Sequence, residues 1–372
     1  MSLTEPNYTK GRVRRAGDFF SIEDEDIFDV HVYLMHHAVL SNWRASHAYP
    51  LHSMLGYFRS KAKEVDHNAV IVQRLKRTPS IIAKLVREND MRLDRMEDIG
   101  GCRIVVNNVN DVYEVRELIV RGRTRNTLRR ERDYIKNPKE SGYRGVHLIY
   151  RYNGQKLVFN GHHVELQIRS LAQHSWATAV EVVGTFTREA LKASEGHEGW
   201  LRFFKLASQA FADIENKKLY ANSRTEDRKE LMNLIAELNV LPKLNAFTVT
   251  TNHIDANKKL NADYYLLTLD VEQTTIKVTP YKASEFQAAT DEYSSIEKEC
   301  KLHKNKDVVL VAAESISALK KAYPNYFADT KGFSRNLVKL MQAHVRFLER
   351  ERAKLIEQQE GLLLKNSQSN LF

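Results

Sequence analysis

Three strings between residues 96 and 170, MEDIGGCRIVV, DYIKNPKESGYRGVHLIY and VELQIRS, constrain the fold of this chain more than anything else in it. IGGCRIVV and VHLIYRY are apolar and rich in β-branched residues, and VELQI alternates apolar and polar at the strand period. They predict strand segments that also carry residues suited to nucleotide chemistry. Asp98 stands at the mouth of the first strand. Glu165 lies on the third between Val164 and Leu166, so it should point away from the core side and into a cleft. A mid-strand glutamate is costly unless paired or metal-bound. Two such carboxylates can share a hard cation such as Mg²⁺, which takes oxygen ligands and keeps substrate phosphates in its shell. With arginines, lysines and Tyr143 around them, the expected chemistry is phosphoryl or pyrophosphoryl transfer.

Along the chain, residues 1–20 with KGRVRR read as a polar, mobile arm. Helical spacing runs through 24–66 and again through 79–90, where Pro79 and Ser80 give a helix start. Strands occupy 99–168, interrupted by a helix at 110–121 and a basic segment, and helices follow from about 170 to 239. After Pro242 the pattern changes: FTVTT, YYLLTLDV, TIKVTPY and DVVLVAA read as strands, SEFQAATDEYSSIEKECKLH and Ser334 to about Leu364 as helices. The division expected is 1–20 arm, 21–200 catalytic domain, 201–240 helical connector and 241–372 regulatory domain. At 372 residues the chain can hold two ordinary cores.

A net charge of +10 favours a polyanionic partner and suits equally a protein that handles only ATP. Cys102 and Cys300 are too few for a four-ligand zinc site without converging histidines, and Cys102 reads as a buried thiol. No window holds the ~18–20 apolar residues of a membrane span, and the N-terminus lacks a signal peptide's apolar core. A cytoplasmic protein with no membrane partner is expected.

With RLKRTPSIIAKL at residues 74–85, the three strings resemble the synthetase domain of the RelA/SpoT family. These nucleotidyltransferase-like enzymes move pyrophosphate from ATP to a ribose hydroxyl. The resemblance implies an α+β fold, a nucleotidyltransferase-like mixed sheet flanked by helices. It implies that Arg74 and Arg103 sandwich adenine, while Lys76, Ser80 and Lys84 hold the donor phosphates. Guanidinium planes stack on aromatic faces, and a helix start with a hydroxyl suits an anion. Asp98 and Glu165 would hold Mg²⁺, with Glu165 also a general base. Tyr143, in a loop where its ring can stand exposed, would stack the acceptor base. Lys139, Arg144 and His147 would serve the acceptor or its phosphates. The family's usual Tyr-Arg-Ser-Leu-His run is here Tyr143-Arg144-Gly145-Val146-His147, which bears on acceptor identity. Arg169 reads as structural, and His162 and His163 as solvated in a turn. Tyr150 and Tyr152 suit either core packing or cleft lining.

Residues 121–136 carry seven positive charges against two negative, and Arg121, Arg123, Arg125, Arg129, Arg130 and Arg132 form a candidate tRNA-binding run. A toxic branch of the family modifies the tRNA 3′ end; other members pyrophosphorylate GDP or GTP. The Tyr323/Tyr326 pair in KKAYPNYFADT resembles the tethered antitoxin of fused members of the CapRel type, in which a pseudo-zinc-finger domain covers the ATP site. The resemblance implies a self-inhibited tRNA pyrophosphokinase in antiphage defence, released by a phage structural protein. The competing readings are a (p)ppGpp synthetase and a non-catalytic RNA-binding module.

Overall fold

The computed structural model describes residues 4–22, 29–187, 191, 196–216, 225–250, 262–270, 275–302, 306–312 and 330–369. Tyr323 and Tyr326 lie outside the described residues. In chain order the elements are α1 (Lys10–Ser21), α2 (Val30–Ser46), α3 (Ala48–Val65), β1 (Val70–Leu75), α4 (Thr78–Arg87), β2 (Gly100–Val106), α5 (Val109–Arg121) and β3 (Thr127–Asp133). They continue as β4 (Val146–Arg151), β5 (His163–Ser170), α6 (Leu171–Thr187), α7 (Glu198–Glu215), α8 (Thr225–Glu237) and α9 (Val240–Thr250). Last come β6 (Tyr264–Asp270), β7 (Thr275–Tyr281), α10 (Phe286–Leu302), β8 (Lys306–Ala312) and α11 (Lys331–Ser369).

Eight strands form one mixed sheet in the order β3-β4-β5-β2-β1-β8-β6-β7. Only β2 and β5 pair in parallel among them; the other neighbours are antiparallel. The mixed α+β architecture expected from sequence is therefore present. The strands after Pro242 extend the same sheet through β8 rather than building a second one. One face of β2, β4 and β5 buries Cys102, Ile104, Leu148, Tyr150, Leu166 and Ile168 against α3 and α5. Side chains alternate along a strand, so the opposite face is left for polar residues. Tyr150 and Tyr152 are fully core.

The basic N-terminal arm is a helix, a correction to the expected mobile segment. Thr9 caps α1 by accepting the Arg12 N–H at 3.4 Å. Val13, Ala16, Gly17 and Phe20 recur one helical turn apart and are buried, packing with Leu40, Trp43 and Ile81. The charges of KGRVRR occupy the remaining faces. Gly17 lies so close to Leu93 that an added Cβ would meet the Leu93 Cβ at 2.7 Å. Gly17→Ala is expected to lower stability by about 1–3 kcal/mol through overpacking, despite alanine's better helix propensity. Denaturant unfolding of this variant checks the docking of α1.

FTVTT is also corrected: residues 247–250 are the last turn of α9. Its β-branched residues favour a strand locally, but Val240 and Leu244 bury against α6 and α7 and carry the segment into a helix. Asn239, at φ 51°, makes the break between α8 and α9. No helix among the described residues is long and apolar enough to cross a membrane.

Candidate active site

Register places the candidate residues on one face. Across β1 and β2, Arg74 opposes Gly101 and Val72 opposes Arg103. Across β2 and β5, Gly101 opposes Glu165 and Arg103 opposes Gln167. His147 opposes Gln167 and, on its other side, Arg132. Arg74, Arg103, Glu165, Gln167, His147 and Arg132 therefore share the face opposite the apolar core. Gly101 lies between Arg74 and Glu165, where the absence of a side chain leaves the middle of the floor open. Above this floor is a cavity of about 1060 Å³.

The two carboxylates meet different partners. Asp98 Oδ2 is 3.1 Å from Lys76 Nζ, and its Oδ1 is 3.1 Å from Lys84 Nζ. Burial alone would raise the Asp98 pKa, but Lys76 and Lys84 hold it below its ordinary value. Burial lowers the Lys76 pKa against the pull of Asp98. Lys84 reaches inward from α4, and Ser80 on that helix also lines the cavity.

Glu165 closes a ring of hydrogen bonds. Arg169 Nε donates to the Tyr143 hydroxyl at 3.1 Å, which is 2.5 Å from His147 Nε2. His147 Nδ1 is 2.9 Å from Glu165 Oε1. Gln167 Nε2 donates to Glu165 Oε2 at 2.7 Å, and Arg169 donates to Gln167 Oε1 at 2.8 Å. A neutral imidazole with its proton on Nδ1 satisfies every member, Tyr143 donating to Nε2. Burial lowers the His147 pKa, in keeping with that state. Burial opposes ionisation of Glu165, yet His147, the Gln167 amide and Lys76 together hold its pKa well below the carboxylate range.

Both carboxylates are thus harder to protonate when folded than when unfolded. Their stabilisation is complete above the unfolded carboxylate pKa and is lost as pH falls through the folded values. We expect a gentle loss that begins as pH falls through the unfolded histidine value of roughly 6.5, from the buried His147 and His162, whose pKa values burial lowers. The carboxylates then give a steep decline below about pH 4. Asp98→Asn should make that acid limb shallower in denaturant titrations.

Lys139, Tyr143 and His147 line the cavity, as do Arg74, Lys76, Ser80, Lys84 and Arg103. The Tyr143 loop is built on glycine: Gly142 has φ 92°, and a Cβ there would meet Ser208 Cβ at 3.0 Å. The Ser208 hydroxyl donates to the Gly142 carbonyl at 2.5 Å, tying the loop to α7. Tyr143 does not stand exposed. It is half-buried, with Arg169 Cζ 4.9 Å and Lys139 Nζ 5.4 Å from its ring centroid. Arg144 is not among the cavity-lining residues; it donates to the Ile135 carbonyl at 3.3 Å and feels Glu215 and Asp213 of α7. Its alternate position beside Tyr143 turns it to the other side.

The basic run is split. Arg129, Arg130 and Arg132 line the cavity, and Arg130 and Arg132 pair with Glu97 at 3.5 and 3.0 Å. Arg121, Arg123 and Arg125 are exposed outside it, Arg121 paired with Glu117. His162 is corrected from solvated to buried: it is 2.9 Å from Ser46 Oγ and 2.8 Å from the Phe159 carbonyl, with its pKa lowered to about 4 chiefly by burial. Sequence reading missed Glu97 and Tyr134, which packs edge-on against Tyr143 and His147. Their roles depend on pairing across β3, β4 and the loop, which no local pattern reports.

Fold and site define a mixed-sheet domain with two carboxylates in a cavity ringed by cations. Residues 73–183 match the family model described as "Region found in RelA / SpoT proteins". It is 38% identical over 124 residues to the GTP pyrophosphokinase YjbM of Bacillus subtilis (strain 168), covering 31% of this chain and 56% of that protein. Over 181 residues it is 27% identical to the GTP pyrophosphokinase of Escherichia coli (strain K12), covering 47% of this chain and 23% of that one. The match thus spans little more than half the length of YjbM. Among solved structures, the small alarmone synthetase 1 of Bacillus subtilis bound to its product pppGpp is 27% identical with a TM-score of 0.40, over 46% of this chain and 90% of that one.

Proposed function

We propose that this chain is an ATP-dependent pyrophosphokinase that moves the terminal diphosphate of ATP to a ribose hydroxyl of a second nucleotide. The observation that carries this reading is the placement of Asp98 and Glu165 in one cavity ringed by cations. Arg74 and Arg103, diagonal neighbours on β1 and β2, flank the adenine. Lys76, Ser80 and Lys84 take the phosphates. Glu165 accepts the proton of the attacking hydroxyl, and AMP leaves.

The carboxylate oxygens fit Mg²⁺, a hard cation that takes one or two carboxylates plus phosphate oxygens and water. Among the described residues no group of three or more metal-ligating side chains is present, so such an ion would share its shell with the nucleotide's phosphates. Bound there, it would neutralise charge on the migrating group.

GDP or GTP is the acceptor this reading favours, since the relatives that match are named GTP pyrophosphokinases. The tRNA 3′ end is the second reading. Its support is the exposed Arg121, Arg123 and Arg125 leading to the cavity-lining Arg129, Arg130 and Arg132. Self-inhibition through Tyr323 and Tyr326 in a pseudo-zinc-finger-like regulatory domain, release by a phage structural protein and a role in antiphage defence belong to that second reading.

Incubation with γ-labelled ATP, Mg²⁺ and either GDP, GTP or tRNA tests both. Label in the guanine nucleotide supports the first acceptor, and label in tRNA the second. Label in neither, with salt-dependent RNA binding retained, would leave a non-catalytic RNA-binding module and defeat the proposal.

A further inference from the structure

The donor side of the cavity is held by a residue from the far end of the chain. Glu297 on α10 is 4% exposed, and its carboxylate accepts the backbone N–H of Thr78 at 3.0 Å. Thr78 is the first residue of α4. Tyr293, one turn before Glu297, donates its hydroxyl to the same carboxylate. The guanidinium of Arg44 lies 4.5 Å from the Tyr293 ring centroid, and Arg44 Nε donates to the Lys76 carbonyl at 2.6 Å. Lys76 N–H in turn reaches the Ile99 carbonyl at 2.7 Å. The Lys76–Thr78 segment is therefore fixed on both sides, and its lysine points at Asp98.

The first N–H groups of a helix need outside partners, which a side chain at the N-cap usually supplies. Here Arg77 is the N-cap and makes no side-chain cap bond. Pro79 has no N–H to offer. Glu297 caps the helix from 219 residues away. With the Thr78 N–H taken, a phosphate at the start of α4 is met by the N–H and hydroxyl of Ser80. The rest of this seam is thin. The β1–β8 ladder consists of Gln73–Ala312 and Arg74–Val311, and beside it lies a void of about 50 Å³ bordered by Arg44, Arg74, Tyr264 and Phe286.

We propose that Glu297 is a positioning residue for the donor nucleotide: by capping α4 it sets Lys76 and Ser80 for the phosphates, and it makes ATP binding depend on the β6–β8 and α10 block. This rests on the donor assignment made above. The test is calorimetric binding of α,β-methylene-ATP with Mg²⁺ to the full chain, without acceptor, beside GDP binding to the same preparations. Glu297→Ala is expected to weaken the ATP analogue about tenfold, because the start of α4 shifts to satisfy the freed Thr78 N–H and must be returned to place, with Lys76 and Ser80, when the phosphates bind. GDP affinity should be unchanged. Glu297→Gln keeps an acceptor oxygen and should stay within about threefold of wild type.

A lowered unfolding temperature in Glu297→Ala with unchanged ATP-analogue affinity would mean a merely structural contact and overturn the proposal. Tighter binding in both variants would overturn it too, because the carboxylate would then oppose the triphosphate. Should Glu297→Ala fail to fold, Tyr293→Phe decides: removing one donor from the carboxylate should weaken the analogue a few-fold, and no change counts against positioning. A wild-type chain that binds GDP but no ATP analogue removes the donor assignment itself, and the proposal with it.

Discussion

Glu165→Gln is expected to lower the rate of pyrophosphate transfer by about 10²–10⁴-fold at saturating ATP, acceptor and Mg²⁺, the usual contribution of a positioned general base. The substitution keeps the shape of the side chain and removes its charge. It also disturbs the closed ring. Glu165 accepts from His147 Nδ1 and from Gln167 Nε2, and an amide can accept from only one of them. The Gln167 amide can rotate to restore that bond, but it then turns a donor toward Arg169. About 1–3 kcal/mol of stability should be lost with the activity, short of unfolding. Transfer within a few-fold of wild type would show that Glu165 holds the ring together without serving the reaction. Loss of activity with wild-type ATP binding, in a variant that stays folded at the assay temperature, is the outcome expected of a group acting on the acceptor hydroxyl.

The parts of this site legible in the sequence are those set by period and local chemistry. VELQIRS announces its own two faces, so Glu165 and Gln167 fall together while Val164 and Leu166 go to the core. Pro79 and Ser80 mark the start of α4, and the structure puts Lys84 one turn on beside Asp98. What escaped needs strand register or distant packing. Tyr143 reads as an exposed loop ring until β4 and β5 pair and bring Arg169 to its hydroxyl. His162 follows a glycine in a turn-like string, yet Ser46 from α2 comes to meet it in the core. Glu297 sits in a helix of ordinary amphipathic composition, and nothing near it in the chain marks it as a cap for Thr78. The α1 stripe was hidden by its charges, since four basic residues among Lys10–Arg15 mask the spacing of Val13 and Ala16.

Phe333→Ala should give the larger loss of stability, about 3–5 kcal/mol, the range for emptying a fully buried phenylalanine site. Phe333 is 0% exposed at the start of α11, with its ring centroid 5.1, 5.9 and 6.1 Å from those of Phe211, Phe204 and Phe203 on α7. Thr330, just before the helix, bonds to the Leu244 carbonyl of α9 at 3.4 Å. The first turns of α11 thus complete the α6–α7–α9 layer, whereas Val345, Leu348, Leu355 and Ile356 farther along are exposed. Val345→Ala should accordingly stay within about 0.5 kcal/mol. The loss at Phe333 should also reach the site. Trp176 Nε1 donates to the Phe204 carbonyl at 2.8 Å, and its indole borders both the cavity and the Tyr143 ring. A void at Phe333 loosens Phe204 and, through Trp176, the side of the cavity that holds Tyr143, while Lys76 and Lys84 on the other side keep their contacts. Unfolding in denaturant and separate titrations of ATP and acceptor check both effects: acceptor KM should rise more than ATP KM. A cost below about 1 kcal/mol would mean that α11 packs on the domain without being part of its core.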